Sequence, residues 1–466
     1  MISYFILSIV IAIATFLSRN ERQFFATGVA FYAVQIVFAL QIIFGGLYET
    51  SSATVFTFDA AGTLFYVLLT VVSAYAYFHS EAYMIGSNAR QTGIYSGLLM
   101  LLTTAITGVY FANNIAVTWI LLETTTLCSA GIIYHRRTTQ TLEAAWKYLF
   151  VCSTGIAVAY LGILLLCAAT KCESLSYEAV AAAVATANPL YLKTAFLLIL
   201  CGYSCKAELF PLYTVGVDAN FAAPSPASAL ISTGLVNAGF LAIFRIYKLL
   251  SGSEVFHWIC NVLLLTGILS LVIGALFLRR TNNYKRFLSY STVENMGIAI
   301  IGLGIGGIGV WAAIFHVACH TLIKSSLFLQ MAVVRQIYDG YRINRIGDYI
   351  RINPIGAAGL IAGMVVLMAF PPSPLFVSEL MILKQTILVN NWWIVAAMLL
   401  LICIVIYSFC SRMIRLCYQP NQDELHPSKS DRTLSWSALS LLIVAMILGM
   451  WRPEILVEFI AQIASL

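Results

Sequence analysis

The chain has 466 residues, 61% hydrophobic and only 10% charged, with a net charge of +6. A soluble domain carries about 25% charged residues, so this composition excludes a water-soluble globule and points to the bilayer as solvent. The positive balance does not indicate nucleic acid, because the basic residues sit in short breaks between apolar runs. The eleven cysteines lie mostly inside those runs without a CxxC pair, so neither a zinc ribbon nor an iron–sulfur site is indicated. Cys201 and Cys205 share a helix face and read as small packing residues.

A spanning helix needs roughly 20 mostly apolar residues. Such runs fall near 2–18, 24–46, 59–78, 94–112, 114–134, 142–168, 190–210, 226–250, 257–278, 284–305, 308–334, 353–388, 390–411 and 434–451. They predict an all-α integral membrane protein of about fourteen transmembrane helices. The first run ends at Ser18-Arg19-Asn20-Glu21-Arg22. It has no basic leader and no small-residue cleavage motif, and reads as a retained span. The run 353–388 is too long for one straight span and is interrupted by Pro371, Pro372 and Pro374. The piece 452–466 reads as interfacial. With both termini outside, the inside loops hold most of the basic residues, among them Arg19, Arg22, Arg136, Arg137, Arg279, Arg280, Arg342, Arg345, Arg412, Arg415 and Lys429. The outside loops hold Lys171, Lys193, Lys248 and Arg452. That asymmetry fits an even number of spans.

Several ionisable residues fall inside the spans, where each costs at least ~2.5–3.5 kcal/mol at a helix centre. Glu123 lies in WILLETTTL, Lys206 and Glu208 in GYSCKAELFP, Glu294 in SYSTVENMG, and Glu379 and Lys384 in PLFVSELMILK. Glu143 and Lys147 lie four apart in LEAAWKYLF and read either as proton carriers or as an interfacial ion pair. Arg245 and Lys384 read as side chains that snorkel to an interface. His316, His320 and Lys324 recur every four residues and line one stripe of one helix. Two histidines alone would read as polar glue between helices; the lysine continuing their stripe favours a wet polar path.

Lys206 precedes Pro211, and Glu379 follows Pro371, Pro372 and Pro374. Proline removes a backbone donor and clashes with the preceding turn, so both helices are predicted to break near mid-membrane. Broken helices are tolerated there where they line a cavity or are buried in protein, and they are the usual pointer to a transport site. Burial favours a neutral lysine and a nearby carboxylate favours the charged form, so moving the carboxylate would release a proton. Gly302, Gly304 and Gly307 satisfy GxGxxG, but spans flank them on both sides. They read as close helix packing or a tight inter-span loop, not as a nucleotide site.

These strings, with YKRFLSYSTVENMG, FHVACHTLIKSSLF and FPPSPLFVSELMIL, resemble the antiporter-like membrane subunits of respiratory complex I, the Mrp antiporters and the energy-converting hydrogenases. They cover about residues 95–390 in order, and the details look most like component F of hydrogenase-4-type complexes. The resemblance implies two inverted five-helix repeats with two broken helices. The divisions become 1–94 for N-terminal helices, 95–250 and 251–411 for the repeats, and 412–466 for an inside loop, a last span and a tail. By resemblance, Glu123 is the carboxylate partner of Lys206, while His316, His320 and Lys324 carry protons along a central axis. Glu379 is the terminal exchanging group, and Glu143, Lys147, Glu208 and Glu294 are secondary candidates.

The resemblance further implies protons as the transported ion, with Na+ the alternative, in a prokaryotic inner membrane. It implies no cofactor on this chain, and as partners other membrane subunits and a hydrophilic iron–sulfur/nickel–iron or quinone-reactive arm. Alternatives are an Mrp-type cation/proton antiporter subunit, a bicarbonate-uptake membrane subunit and a non-conducting structural scaffold. The chain departs from the family pattern at Asn220 and Asn237, where a histidine and a lysine or histidine are usual, and at Asn283, usually acidic. Glu208 is an added carboxylate that could compensate, or could pin Lys206 in a permanent ion pair.

Overall fold

The computed structural model describes residues 1–44, 55–84, 87–338, 340–420 and 432–465. Lys429 and most of the loop between the last two spans lie outside the described residues. In chain order the helices are α1 (Ile2–Leu17), α2 (Glu21–Phe44), α3 (Ala60–Tyr83), α4 (Ala89–Phe111), α5 (Ile115–Ile133), α6 (Thr139–Thr170), α7 (Tyr177–Ala183), α8 (Pro189–Ala207), α9 (Thr214–Ala222), α10 (Ser225–Leu230) and α11 (Val236–Leu249). Then follow α12 (Phe256–Arg280), α13 (Tyr284–Ile305), α14 (Ile308–Tyr338), α15 (Tyr349–Ile352), α16 (Pro354–Leu367), α17 (Pro374–Leu388), α18 (Trp392–Tyr418), α19 (Arg432–Met450) and α20 (Glu454–Ala464). Among the described residues, 12 helices are long and apolar enough to cross a membrane, and Ile2–Leu17 and Pro354–Leu367 are shorter apolar helices. The chain is an all-α, multi-pass integral membrane protein.

The sequence starts and stops these helices by ordinary means. Asp59, Asn88, Asn114 and Asn188 cap α3, α4, α5 and α8 through their side chains, and Pro189, Pro354 and Pro374 open helices where a missing N–H costs nothing. A π-helical turn at Ile231–Leu235 joins α10 to α11. Contacts divide the chain into two units, Met1–Ala227 with Gly234–Ile259 and Ser228–Thr233 with Cys260–Ser465.

In the first unit α6 and α8 pack most closely, because small residues face each other at the crossing. A Cβ on Gly162 would lie 2.8 Å from the Ala195 carbonyl. In lipid, where apolar contact alone drives little association, such close backbone approach supplies the packing energy. The exposed faces of α1 and α2 carry Ile6, Val10, Ile13, Val29 and Ile36, as a lipid-facing surface requires. Arg245, expected to snorkel, is instead largely enclosed. It pairs with Asp59 at 2.9 Å and donates to the carbonyls of Val109, Tyr110 and Ala112. The unsatisfied carbonyls at the end of α4 supply a local partner that no hydropathy pattern shows.

In the second unit α14 is the core element, with every residue from Gly309 to Val334 buried. A helix enclosed on all sides can carry polar groups only if neighbours satisfy them. Ser326 and Gln330 donate to the carbonyls of Ala438 and Ser435 on α19, each within 2.8 Å. The glycine string behaves as a packing and turn element. A Cβ on Gly302 would lie 2.8 Å from the Gly309 carbonyl, and Gly306 and Gly307 take the left-handed backbone (φ 71° and 56°) between α13 and α14.

Candidate functional site

The first unit builds its site at the broken end of α8. The helix stops at Ala207, with Lys206 in its last turn and Glu208 in the left-handed conformation at φ 52°. Proline at 211 cannot continue the ladder, and the chain resumes as α9. Lys206 is 1% exposed. Its Nζ donates to Thr126 Oγ1 at 2.7 Å and to the Tyr148 hydroxyl at 3.2 Å, and sits 5.0 Å from the centre of the Tyr148 ring. Thr126 lies one turn beyond Glu123 on α5, and its hydroxyl donates to Glu123 Oε2 at 3.2 Å. Ser153 on α6 donates to Glu123 Oε1 at 2.5 Å.

The result is a continuous chain from Ser153 through Glu123 and Thr126 to Lys206. The geometry therefore links Glu123 and Lys206 through a threonine hydroxyl that accepts from the ammonium and donates to the carboxylate. A hydroxyl can do both at once, which is the property a proton relay requires. Thr126, Tyr148 and Ser153 were not singled out from the sequence. The available signal was spacing, since Thr126 is three residues from Glu123 and so shares its face.

The secondary candidates of this half separate. Glu208 Oε1 accepts from Asn220 Nδ2 at 2.7 Å, so two departures from the family pattern touch each other. Glu143 and Lys147 form an i,i+4 ion pair of 2.5 Å on the outer face of α6, with side chains 64% and 58% exposed. Tyr148, the next residue, faces inward and is the α6 residue that reaches Lys206.

The second unit collects its groups around α14. His316, His320 and Lys324 are fully buried. Lys324 Nζ donates to Ser291 Oγ and to the Leu288 carbonyl, both on α13. Glu294, one turn beyond Ser291, is 2% exposed and accepts from Asn295 Nδ2. Lys324 and Glu379 are both within its electrostatic reach. Glu379 lies in the second turn of α17, just after the break between α16 and α17, where Ala369 has φ 51°. Ser373 caps α17 by accepting from the Phe376 N–H at 3.2 Å. His316 Nδ1 and the hydroxyl of Ser378, the residue before Glu379, are 2.9 Å apart. The rings of His316 and His320 are stacked with centroids 6.4 Å apart. Neither ring nitrogen of His320 has a hydrogen-bond partner among the described residues.

This unit thus brings together Glu294, His316, His320, Lys324 and Glu379 on three packed helices. Ser291, which accepts from Lys324, and Ser378, which meets His316, were not picked out from the sequence. Among the described residues, no three His, Cys, Asp or Glu side chains converge as a metal-binding group. The arrangement gathers buried groups that can take up or release protons.

The family described as NADH:quinone oxidoreductase/Mrp antiporter, TM, matches residues 112–405. Over 281 residues the chain is 30% identical to a hydrogenase-4 component F homolog of Methylacidiphilum infernorum, covering 59% of this chain and 59% of that protein. It is 26% identical over 326 residues to hydrogenase-4 component B of Escherichia coli, covering 67% of this chain and 47% of the relative. The chain therefore matches less than two thirds of the length of these relatives. A chain of an archaeal respiratory membrane complex, the membrane-bound sulfane sulfur reductase, superimposes with a TM-score of 0.86 at 21% identity, covering 99% of this chain and 96% of that one. That likeness is one of fold.

Proposed function

The chain belongs to the NADH:quinone oxidoreductase/Mrp antiporter transmembrane family, and from that premise we propose that it is a proton-translocating membrane subunit of a redox-driven complex of the hydrogenase-4 type. The observation that carries this reading is the buried Lys206, held by hydroxyls at a helix break and joined through Thr126 to Glu123. Buried lysines are costly in a membrane, and one bridged to a carboxylate by a dissociable hydroxyl can change its proton occupancy with a small movement. Glu123 and Lys206 serve as one exchanging pair. Lys324, Glu294, His320 and His316 carry protons through the second unit, and Glu379 is its terminal exchanging group. No cofactor is held by this chain. Redox energy comes from a hydrophilic iron–sulfur, nickel–iron or quinone-reactive arm, in a prokaryotic cell membrane with both chain termini outside.

A second reading, a cation/proton antiporter subunit without a redox arm, is favoured by the Mrp part of the family. The experiment that separates them is gentle detergent capture of the tagged chain from native membranes, with mass spectrometry of everything retained. Nickel–iron hydrogenase-like and iron–sulfur subunits are expected. Retention of only small membrane subunits, with sodium-dependent proton exchange in vesicles, would replace the redox-driven reading with the antiporter one. A soluble carbonic-anhydrase-like partner would redirect it to bicarbonate.

A further inference from the structure

The arginine-bearing ends of α12 and α18 enclose a cleft of about 190 Å³ lined by Arg279, Tyr407, Ser408, Ser411 and Arg412. We propose that this cleft holds the phosphate headgroup of an anionic phospholipid. Arg412 is fixed from two sides. Its Nη2 donates to the Arg279 carbonyl at 3.0 Å, and its own carbonyl accepts from the Tyr284 hydroxyl at 3.1 Å. No acidic side chain among the described residues pairs with Arg279 or Arg412. Arg279 and Arg412 both line the cleft, and two cationic residues beside one small space favour an anion there. Guanidinium forks suit phosphate oxygens, and the Ser411 hydroxyl adds a donor. A helix C-terminus by itself disfavours an anion, but the Arg412 bond caps the α12 carbonyl end with positive charge.

The same chemistry would suit free phosphate, and the surroundings favour the lipid. The cleft lies at the end of a membrane-spanning helix, where Arg279 and Arg280 form the last turn of α12. Leu276, Phe277, Tyr407 and Ile414, on the two spans that form the cleft, are 54%, 39%, 64% and 54% exposed. Both spans therefore present apolar surface near the cleft, on which an acyl chain can lie while its headgroup meets the arginines. Basic pockets between transmembrane helices are a recurring form of anionic-lipid site. Such a site does not depend on which ion the protein moves.

The test uses the intact complex reconstituted in nanodiscs of equal phosphatidylglycerol and phosphatidylcholine, then released and weighed by native mass spectrometry. Wild type is expected to retain phosphatidylglycerol in preference to phosphatidylcholine. The double variant Arg279→Gln/Arg412→Gln is expected to retain it about tenfold less, with phosphatidylcholine unchanged. Arg279→Gln alone, on an exposed side chain, gives a smaller loss in the same direction and serves if the double variant does not assemble. Arg90→Gln, away from the cleft, is expected to change nothing. Unchanged phosphatidylglycerol retention in the assembled variants would overturn the site, and its full displacement by excess inorganic phosphate would make it a soluble-anion site.

Discussion

The two units each bury a lysine, yet they satisfy it differently. Lys206 is held by the side-chain hydroxyls of Thr126 and Tyr148, with a half-buried carboxylate one hydroxyl further on. Lys324 is held by a backbone carbonyl and a serine, deep in a helix with no exposed face at that level. Side-chain hydroxyls rotate, whereas a helical carbonyl stays in place. Each lysine meets a side-chain hydroxyl, and Lys324 adds a helical carbonyl as a fixed partner. Each unit also places a helix break beside buried ionisable groups, Lys206 and Glu208 in the first and Glu379 in the second. The break lies at Lys206 in the first unit and at Glu379 in the second, leaving Lys324 on unbroken helix.

After replacement of Lys206 itself, the largest effect is expected at Glu379, beside the break in the second unit. Glu379→Gln keeps the shape of the side chain and removes its proton. Proton translocation by inverted membrane vesicles is expected to fall by about a hundredfold or more, with the complex still assembled. Translocation near the wild-type rate would remove Glu379 from the route. Gly239 offers a steric test, because a Cβ there would lie 2.5 Å from the Ala207 nitrogen, at the break itself. Gly239→Ala is expected to cost about 1–3 kcal/mol in thermal or denaturant unfolding and to shift the Lys206 end of α8. An unaltered melting temperature would show that this contact gives way freely.

Smaller effects are expected at the residues that hold Lys206. Thr126→Val removes the bridge between Lys206 and Glu123 while keeping the volume, and is expected to slow translocation roughly tenfold. Thr126→Ser, which restores the hydroxyl, should recover most of that loss; failure of the rescue would assign Thr126 a packing role. Tyr148→Phe keeps the ring beneath the ammonium and loses one 3.2 Å hydrogen bond. Its expected effect is about threefold. Glu143→Gln with Lys147→Gln should leave the rate unchanged, because the pair points away from Lys206 and is widely exposed. A large loss there would place a transport step on the outer face of α6.

The architecture was open to reading from the sequence because the bilayer imposes a strong length and hydropathy rule, and the prolines at 211, 371, 372 and 374 marked both breaks. Charged residues in apolar runs identified Glu123, Lys206, Glu294, Lys324 and Glu379, since each violates the local solvent. The hydroxyls that touch the buried polar groups, Thr126, Ser153, Ser291 and Ser378, were not legible. Threonine and serine are common in membrane helices and usually bond their own backbone four residues back, so composition gives them no contrast. Tyr148 follows Lys147 but faces the other side of α6, and one tyrosine in an apolar run carries no contrast. The Arg245–Asp59 pair spans 186 residues and depends on where two helix ends meet, which periodicity does not encode.

Proton translocation with Lys206 replaced is the decisive measurement. Inverted vesicles from cells carrying Lys206→Met would be energised with the donor of the assembled complex, and acidification followed with a pH-sensitive dye. A pumping role for Lys206 predicts an assembled complex, intact electron transfer or partner binding, and no proton gradient. A gradient formed at the wild-type rate would contradict it.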